Sequence, residues 1–275
     1  MNETVLLTGA TGFVGRQILR SLAARKISVR VIVREGSCHR LPDFLAEEQI
    51  ITTQDLFAES ADWWEESCRE VNTVIHAAWY AEPGEYLQSP ENLDCLIGSL
   101  KLAKGAVQAG VCRFVGVGTC FEYDLTPGEL SVETALDPLS PYAAAKAALY
   151  TALLQYLPSQ NIEFLWCRLF YLYGEREDPR RLIPYLRAQI KEGKTAELTS
   201  GDQIRDFMDV AEAGQMIAEQ ALGDLQGAIN ICSGVPVTIR KIAEGIADEY
   251  GRRDLLKFGA RADNLIDPPC VVGIK

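Results

Sequence analysis

At 275 residues, with a 48% hydrophobic share and charges of both signs, the chain can bury a sizeable core as one domain or as a domain with an appended lobe. A net charge of −11 leaves no cationic footprint for nucleic acid or for an anionic membrane surface. No apolar stretch approaches membrane-spanning length. The eight cysteines are scattered without a CxxC pair, and with two histidines, His39 and His76, neither a disulfide framework nor a metal site is expected. Reduced thiols imply a cytoplasmic setting. The first strand starts so early that no signal peptide is expected ahead of it.

Taken in chain order, strands are predicted over Thr4–Thr8, Val29–Arg34, Ile50–Thr53, Thr73–Ala77, Phe114–Val117 and Glu163–Leu169. Helical patterns separate them around Phe13–Ala24, Ala61–Glu70, Pro90–Ala109 and Tyr142–Leu157. Such alternation implies an α/β fold with a doubly wound parallel sheet, whose ligands sit at the carboxyl ends of the strands. After Arg168 the pattern loosens into helices near Leu182–Glu192, Val210–Ala221 and Ile239–Tyr250. Residues 1–167 are therefore read as a dinucleotide-binding domain and 168–275 as a smaller lobe, the two free to interleave.

The run Thr8-Gly9-Ala10-Thr11-Gly12-Phe13-Val14-Gly15 follows the first strand and opens the first helix. Glycines there let the backbone turn tightly and approach a pyrophosphate, which the free N–H groups of the helix N-terminus stabilise. Gly15, one turn into the helix, permits close packing on the sheet. An ordinary glycine turn is the plain alternative, since a lone triplet is a weak signal.

The GxxGxxG spacing resembles the extended branch of the short-chain dehydrogenase/reductase superfamily, the sugar-nucleotide epimerases, dehydratases and reductases, and so implies a Rossmann sheet. The resemblance implies that Gly9, Thr11, Gly12, Phe13, Val14 and Gly15 hold a dinucleotide. Asp55 and Leu56 would meet the adenine, and Ala77 and Ala78 would let the cofactor pass close to the backbone. The second strand ends in Arg34 with no acid, which favours the 2′-phosphate of NADP over NAD; a solvated surface charge is the plain alternative.

Ser140-Pro141-Tyr142-Ala143-Ala144-Ala145-Lys146 places Tyr142 and Lys146 four apart, on one face of a helix. An ammonium beside a phenol favours the phenolate, and is expected here to lower the phenol's proton affinity. The family pattern adds Thr119, at the end of the fifth strand, as the third catalytic member. It holds the substrate oxygen while Tyr142 exchanges the proton, and Lys146 also reaches the nicotinamide ribose. The 4,6-dehydratases carry Asp-Glu directly after that Thr. Cys120 and Phe121 stand there, so dehydration is not expected.

Arg168-Leu-Phe-Tyr-Leu-Tyr-Gly174 resembles the family's Arg-x-x-Asn-x-Tyr-Gly turn beside the nicotinamide and substrate phosphates, with Tyr171 in the Asn position. Gly201-Asp202-Gln203-Ile204-Arg205 resembles the segment whose Arg binds the nucleotide-sugar pyrophosphate. Arg205 is therefore the expected substrate anchor, or else a surface charge beside Asp206. Tyr80 and Tyr171 are expected to line the substrate cleft, and Trp79 either lines it or covers the core. His76 is read as a packed core imidazole. Cys95 stands where many relatives have an Asn, for which Asn92 is a candidate substitute.

The resemblance thus implies NADP-dependent reduction of a 4-keto nucleotide sugar. An NAD-dependent 4-epimerase and a non-catalytic dinucleotide-binding protein are the alternatives. Pro90–Ala109 and Tyr142–Leu157 are expected to pair across a homodimer as in relatives. Relatives continue past a point resembling Val271–Val272, so their final helices are expected to be missing from this chain.

Overall fold

The computed structural model describes residues 3–263 and 267–275. Alternating apolar strands and amphipathic helices give β1 (Thr4–Thr8), α1 (Phe13–Ala24), β2 (Ser28–Arg34), β3 (Ile50–Thr53), α2 (Ala61–Ser67), β4 (Thr73–His76), α3 (Glu91–Gln108) and β5 (Arg113–Thr119). Then come β6 (Glu129–Leu130), α4 (Pro141–Ser159), β7 (Glu163–Leu169), β8 (Tyr171–Tyr173), α5 (Leu182–Lys191), β9 (Ala196–Glu197) and β10 (Ile204–Asp209). The last elements are α6 (Val210–Ala221), β11 (Gly227–Ile231), β12 (Pro236–Thr238), α7 (Ile239–Glu249), β13 (Leu256–Lys257) and β14 (Cys270–Gly273).

Seven strands form the main sheet in the order β11-β7-β5-β4-β1-β2-β3, every pair parallel. The side-chain period of two divides the strands between two cores. Val5, Leu7, Val31, Val33, Ile75, Val115, Val117 and Leu165 pack against Ile18, Leu19 and Leu22 of α1 and Ala213, Ile217 and Ala221 of α6. Leu6, Ile32, Val74, Phe114, Phe164 and Trp166 face Trp64 of α2, Leu102 and Ala106 of α3, and Leu149 and Leu153 of α4. Small residues set the distances between layers. A Cβ at Gly116 or Gly118 would lie 2.2 Å from the Trp166 ring, and one at Gly214 of α6 would lie 2.4 Å from Gln17 of α1.

A second layer runs β12-β10-β14-β6, with β8 on β10, and β9 pairs with β13. Its core is built from Ile183, Leu186 and Ile190 of α5 with Ala243, Ile246 and Ala247 of α7. The chain crosses between layers in both directions. Residue 168 lies inside β7, and the later β11 joins the main sheet beside it, whereas the early β6 pairs with β14 in the smaller one.

Helix boundaries follow local chemistry. Ser140, the N-cap of α4, accepts the Ala143 N–H, and Pro141 occupies the first turn, where its missing N–H costs nothing. Ser60, Asp209 and Thr238 cap α2, α6 and α7 in the same way.

His76 is buried where β1, β4 and α3 meet. Ser99 Oγ donates to the Cys95 carbonyl at 2.6 Å, so its oxygen accepts from His76 Nε2 at 2.7 Å. Thr8 Oγ1 then donates to Nδ1 at 2.8 Å and accepts the Ala78 N–H at 3.2 Å. This network assigns the Nε2–H tautomer and uses both ring nitrogens. Burial, with Lys146 nearby, brings the ring's proton affinity down from 6.5 to about 3. The unfolded chain therefore binds a proton between those two values that the folded chain refuses. Unfolding free energy should fall by about 1.4 kcal/mol per pH unit below pH 6.5 on this account. Denaturant titrations of the parent and His76→Asn from pH 7 to 4 should show the steeper acid loss in the parent; equal slopes would disprove it.

Candidate active site

The glycine turn lies at the carboxyl end of β1, and three backbones converge on it. Gly9 has φ +74, and a Cβ there would meet the Ala77 and Ala78 backbone at 2.8 Å. A Cβ at Gly15 would lie 2.1 Å from the Gly9 carbonyl oxygen. Helix α1 starts at this turn without a side-chain cap and without an acidic residue in its first turn. The N–H groups of Phe13, Val14 and Gly15 thus face the turn with no protein carboxylate competing for them. Arginines surround it: Arg40 Nη2 donates to the Thr11 carbonyl at 3.2 Å, and Arg16 reaches the same oxygen at 3.5 Å. Burial, then repulsion from Arg176, Arg20 and Arg40, lowers the proton affinity of Arg16, with Glu175 opposing. An uncapped helix start with two arginines, Arg16 and Arg40, on the carbonyl of the turn fits the pyrophosphate of a dinucleotide.

Arg34 ends β2 and is exposed. Asp55, also exposed, follows β3, and its Oδ1 accepts the Phe57 N–H at 3.0 Å; Leu56 packs on the α2–α3–α4 core. Arg40 was not anticipated, because its relation to the glycine turn depends on how the 35–49 segment folds back.

Thr119 closes β5 in extended conformation, and its Oγ1 accepts the Phe121 N–H at 3.3 Å. Tyr142 and Lys146 share one face of α4. A Thr119 hydrogen bond acts on the Tyr142 phenol, but burial dominates and pushes that phenol well above its ordinary range, with Tyr86 adding to the effect. Lys146 Nζ donates to the Val117 carbonyl at 2.7 Å and stands 3.8 Å from the Trp79 ring centroid. Burial lowers its proton affinity to about 7, opposed by the charges of Glu122 and Cys95. The expectation that Lys146 lowers the phenol's proton affinity is therefore corrected for the ligand-free protein. Its ammonium is turned toward β5 and an indole face, and desolvation governs the phenol. Trp79 belongs to the site through that contact.

Arg168, the first residue of the stretch that resembles the family turn, is turned inward from β7. Its guanidinium is 1% exposed, with Nε donating to Glu122 at 2.7 Å and Nη1 to the Tyr123 hydroxyl at 3.0 Å. The rings of Tyr123 and Tyr150 lie 4.5 and 4.4 Å from its Cζ. Glu122 was missed. Its carboxylate accepts the Thr119 N–H at 2.8 Å and the Trp166 Nε1–H at 2.9 Å, so it fixes the strand end that carries Thr119. Burial raises its proton affinity, and Arg168 opposes this.

Arg205 is 2% exposed, so it is no surface charge, and its partner is not Asp206. Nη1 donates to the Ile204 carbonyl at 2.8 Å, and Nη2 lies 3.0 Å from Asp267 without a well-directed hydrogen bond. Asp206 instead accepts the N–H groups of Ser233, Gly234 and Gly273, pinning the second layer. Arg205 stands 5.3 Å from the Tyr171 ring centroid, and Phe121 meets the same ring edge-on at 6.1 Å. Phe121, whose N–H reaches Thr119, thus links the end of β5 to Tyr171 and through it to Arg205, while Tyr142 packs edge-on against Tyr86.

Tyr80 lies differently. Its hydroxyl donates to Glu85 at 3.1 Å among the charges of Glu82 and Glu91. Cys120 is a buried thiol whose proton affinity burial pushes up to about 12, in keeping with packing rather than nucleophilic attack. Cys95 accepts the Tyr80 N–H at 3.4 Å.

Residues 5–232 match the model of the NAD dependent epimerase/dehydratase family. The dTDP-6-deoxy-L-talose 4-dehydrogenase (NAD(+)) of Aggregatibacter actinomycetemcomitans is 24% identical over 98% of this chain and 99% of its own. The UDP-glucose 4-epimerase of Neisseria meningitidis serogroup B is 26% identical, covering 87% of this chain and 80% of its own. Among solved structures, the UDP-glucose 4-epimerase of Thermus thermophilus in complex with NAD superposes with a TM-score of 0.80 at 25% identity, over 98% of this chain and 90% of that one.

Proposed function

The chain belongs to the NAD dependent epimerase/dehydratase family, and we propose that it reduces the 4-keto group of a nucleotide sugar with NADPH. The dinucleotide, when bound, supplies the hydride. Thr119 holds the carbonyl oxygen, Tyr142 donates the proton to it, and Lys146 holds the ribose and supports proton transfer. The observation that carries this reading is the chain of contacts from Thr119 through Phe121 and Tyr171 to Arg205, with Tyr142 and Lys146 one helical turn apart on α4 and the uncapped start of α1 across the carboxyl end of the sheet. A phenol pushed upward by burial stays protonated at neutral pH, which is the form reduction requires. Cys120 and Phe121 offer no acid–base pair for dehydration. The full-length similarity to a 4-dehydrogenase acting on a dTDP-linked sugar supports chemistry at C4.

Arg205 takes the pyrophosphate of the nucleotide sugar, released from its contact with Asp267, and residues 168–275 outside α6 and β11 form the substrate-binding lobe. The eight free thiols suit a reducing cytoplasm. The second reading, an epimerase that retains NAD, is favoured by the similarity to UDP-glucose 4-epimerases.

Tyr142→Phe should leave folding and NADPH affinity nearly unchanged and lower turnover at least about a hundredfold, the usual scale for losing a positioned acid. dTDP-6-deoxy-L-talose, assayed in the oxidation direction, is the first probe. Full activity in the Phe variant would remove the proton relay.

Arg34 separates the two readings, with Arg40 at hand to share its load. Charge-assisted bonds to a 2′-phosphate are worth about 1.5–3 kcal/mol each, so NADPH should bind roughly tenfold or more tightly than NADH. Arg34→Asp should reverse the order. Equal dissociation constants in the parent would move the assignment to the epimerase.

A homodimer formed through α3 and α4 completes the proposal. Leu93 and Ile97 lie four apart on α3 and are 62% and 45% exposed, and α4, which packs on α3, exposes Ala144 and Ala148. Light scattering at micromolar concentration should give twice the chain mass, and Leu93→Glu should give the monomer; a monomeric parent refutes it.

A further inference from the structure

Two aromatic rings from the segment after β4 flank Tyr142 edge-on. Trp79 lies 6.4 Å from it between centroids at 79°, and Tyr86 lies 4.9 Å away at 87°. Trp79 also offers its face to Lys146, and the Leu87 carbonyl accepts the Tyr142 N–H at 3.2 Å. Residues 79–87 therefore touch both members of the pair, yet they form no helix or strand. Backbone turn bonds to the Glu82 and Glu85 carbonyls satisfy part of the segment, and the rest needs other partners. Asn92, in the first turn of α3 and 1% exposed, supplies such partners. Its Oδ1 accepts the Trp79 Nε1–H at 2.8 Å, and its Nδ2 donates to the carbonyls of Tyr86 at 2.6 Å and Ser89 at 2.9 Å. One amide thus ties down both ends of the segment.

We propose that Asn92 is a positioning residue for the Tyr142–Lys146 pair, fixing Trp79 over the ammonium and Tyr86 against the phenol without touching substrate or cofactor. This rests on the reading of Tyr142 and Lys146 as the catalytic pair. Truncating Asn92 leaves the Trp79 indole N–H and the Tyr86 carbonyl without partners, while the Ser89 carbonyl keeps the backbone N–H of residue 92, and both rings lose their anchor. The groups facing Lys146 Nζ are the Val117 carbonyl from β5, Trp79, the Trp166 ring from β7 at 5.9 Å, Cys95 from α3, Glu122 and His76. Of these, the Trp79 face favours the ammonium by cation–π attraction. With that face displaced, Lys146 gives up its proton more readily, and the alkaline limb of kcat/KM moves to lower pH by roughly half a unit or more.

The test uses the full chain and its Asn92→Ala, Trp79→Phe and doubly substituted forms. In Asn92→Ala, hydrogen exchange of residues 79–87 should quicken at least about tenfold while β1, β4 and β5 keep their protection. Turnover should fall at least about tenfold, with KM and the NADPH dissociation constant within about twofold of the parent and the alkaline limb shifted as stated. Because the two residues act through one contact, the double variant should lose no more than the worse single one. Parent-like exchange in residues 79–87, parent-like turnover, a loss confined to KM, or multiplied losses in the double variant would each overturn the proposal. If Asn92→Ala does not fold, Trp79→Phe decides: it keeps the Tyr86 and Ser89 contacts, and a parent-like rate and pH profile would refute the role. A parent inactive on every nucleotide sugar tried would defeat the functional reading, and the exchange measurement would still decide whether Asn92 holds the segment.

Discussion

The mouth of the site rests on a carboxylate that solvent does not reach. Glu122 is fully buried and faces three donors, the Thr119 backbone, the Trp166 indole and the Arg168 guanidinium. Through Arg168 the network passes to the Tyr123 hydroxyl, and from there to Asn230 at 2.7 Å. Asn230 belongs to the main sheet and donates to the carbonyls of Leu130 and Ile274, where the smaller sheet closes. One buried ion pair thus fixes the end of β5 and fastens the two layers to each other. Breaking such a pair from one side leaves an uncompensated charge that costs about 3–5 kcal/mol. The pair sets geometry at Thr119, with no chemistry of its own.

Local charge opposes global charge in this molecule. The chain carries −11 overall, yet Arg16, Arg20, Arg40 and Arg176 gather near the glycine turn, and burial followed by the charges of the other three lowers the proton affinity of Arg16. Repelling cations inside a negative protein make a local well for an anion, deepest where helix α1 begins. At the other end of the cleft, Arg205 is kept near Asp267 in the ligand-free protein. Both places hold positive charge in readiness, one by mutual repulsion and one by a single imperfect pairing.

Much of this was legible in the sequence wherever a period or a cap decided the outcome. Helices α1 and α6 and strands β1, β3 and β7 run over the residues that the apolar patterns predict. The Tyr142–Lys146 spacing survives because helical geometry alone puts the two on one face. What the sequence concealed was decided by long-range partners. Glu122 reads as an ordinary polar residue and Asn92 as a candidate substitute for the family's Asn, and only the neighbours that folding brings to them show their work. Arg168 is instructive because a signal for it existed. Phe164, Trp166 and Arg168 alternate along one face of β7, so the period of two already directed the guanidinium into the interior. The direction of the Tyr142 shift was misjudged for a related reason: spacing reports which residues are near, and burial decides which charge can be sustained.

The packing of α6 on α1 bears on how the chain reaches this state. The first helix hides its apolar stripe under a helix from the last third of the sequence, and Gly214 permits the close approach to Gln17. The edge strand β11 lies equally late. During synthesis, Ile18, Leu19 and Leu22 emerge long before their cover exists, and the edge of β7 waits for its partner. Closing such distant contacts is slow, and the half-built sheet is open to association with other chains. The nascent protein therefore passes through an interval in which its oldest helix is its stickiest surface, and holdase chaperones would find their natural target on α1.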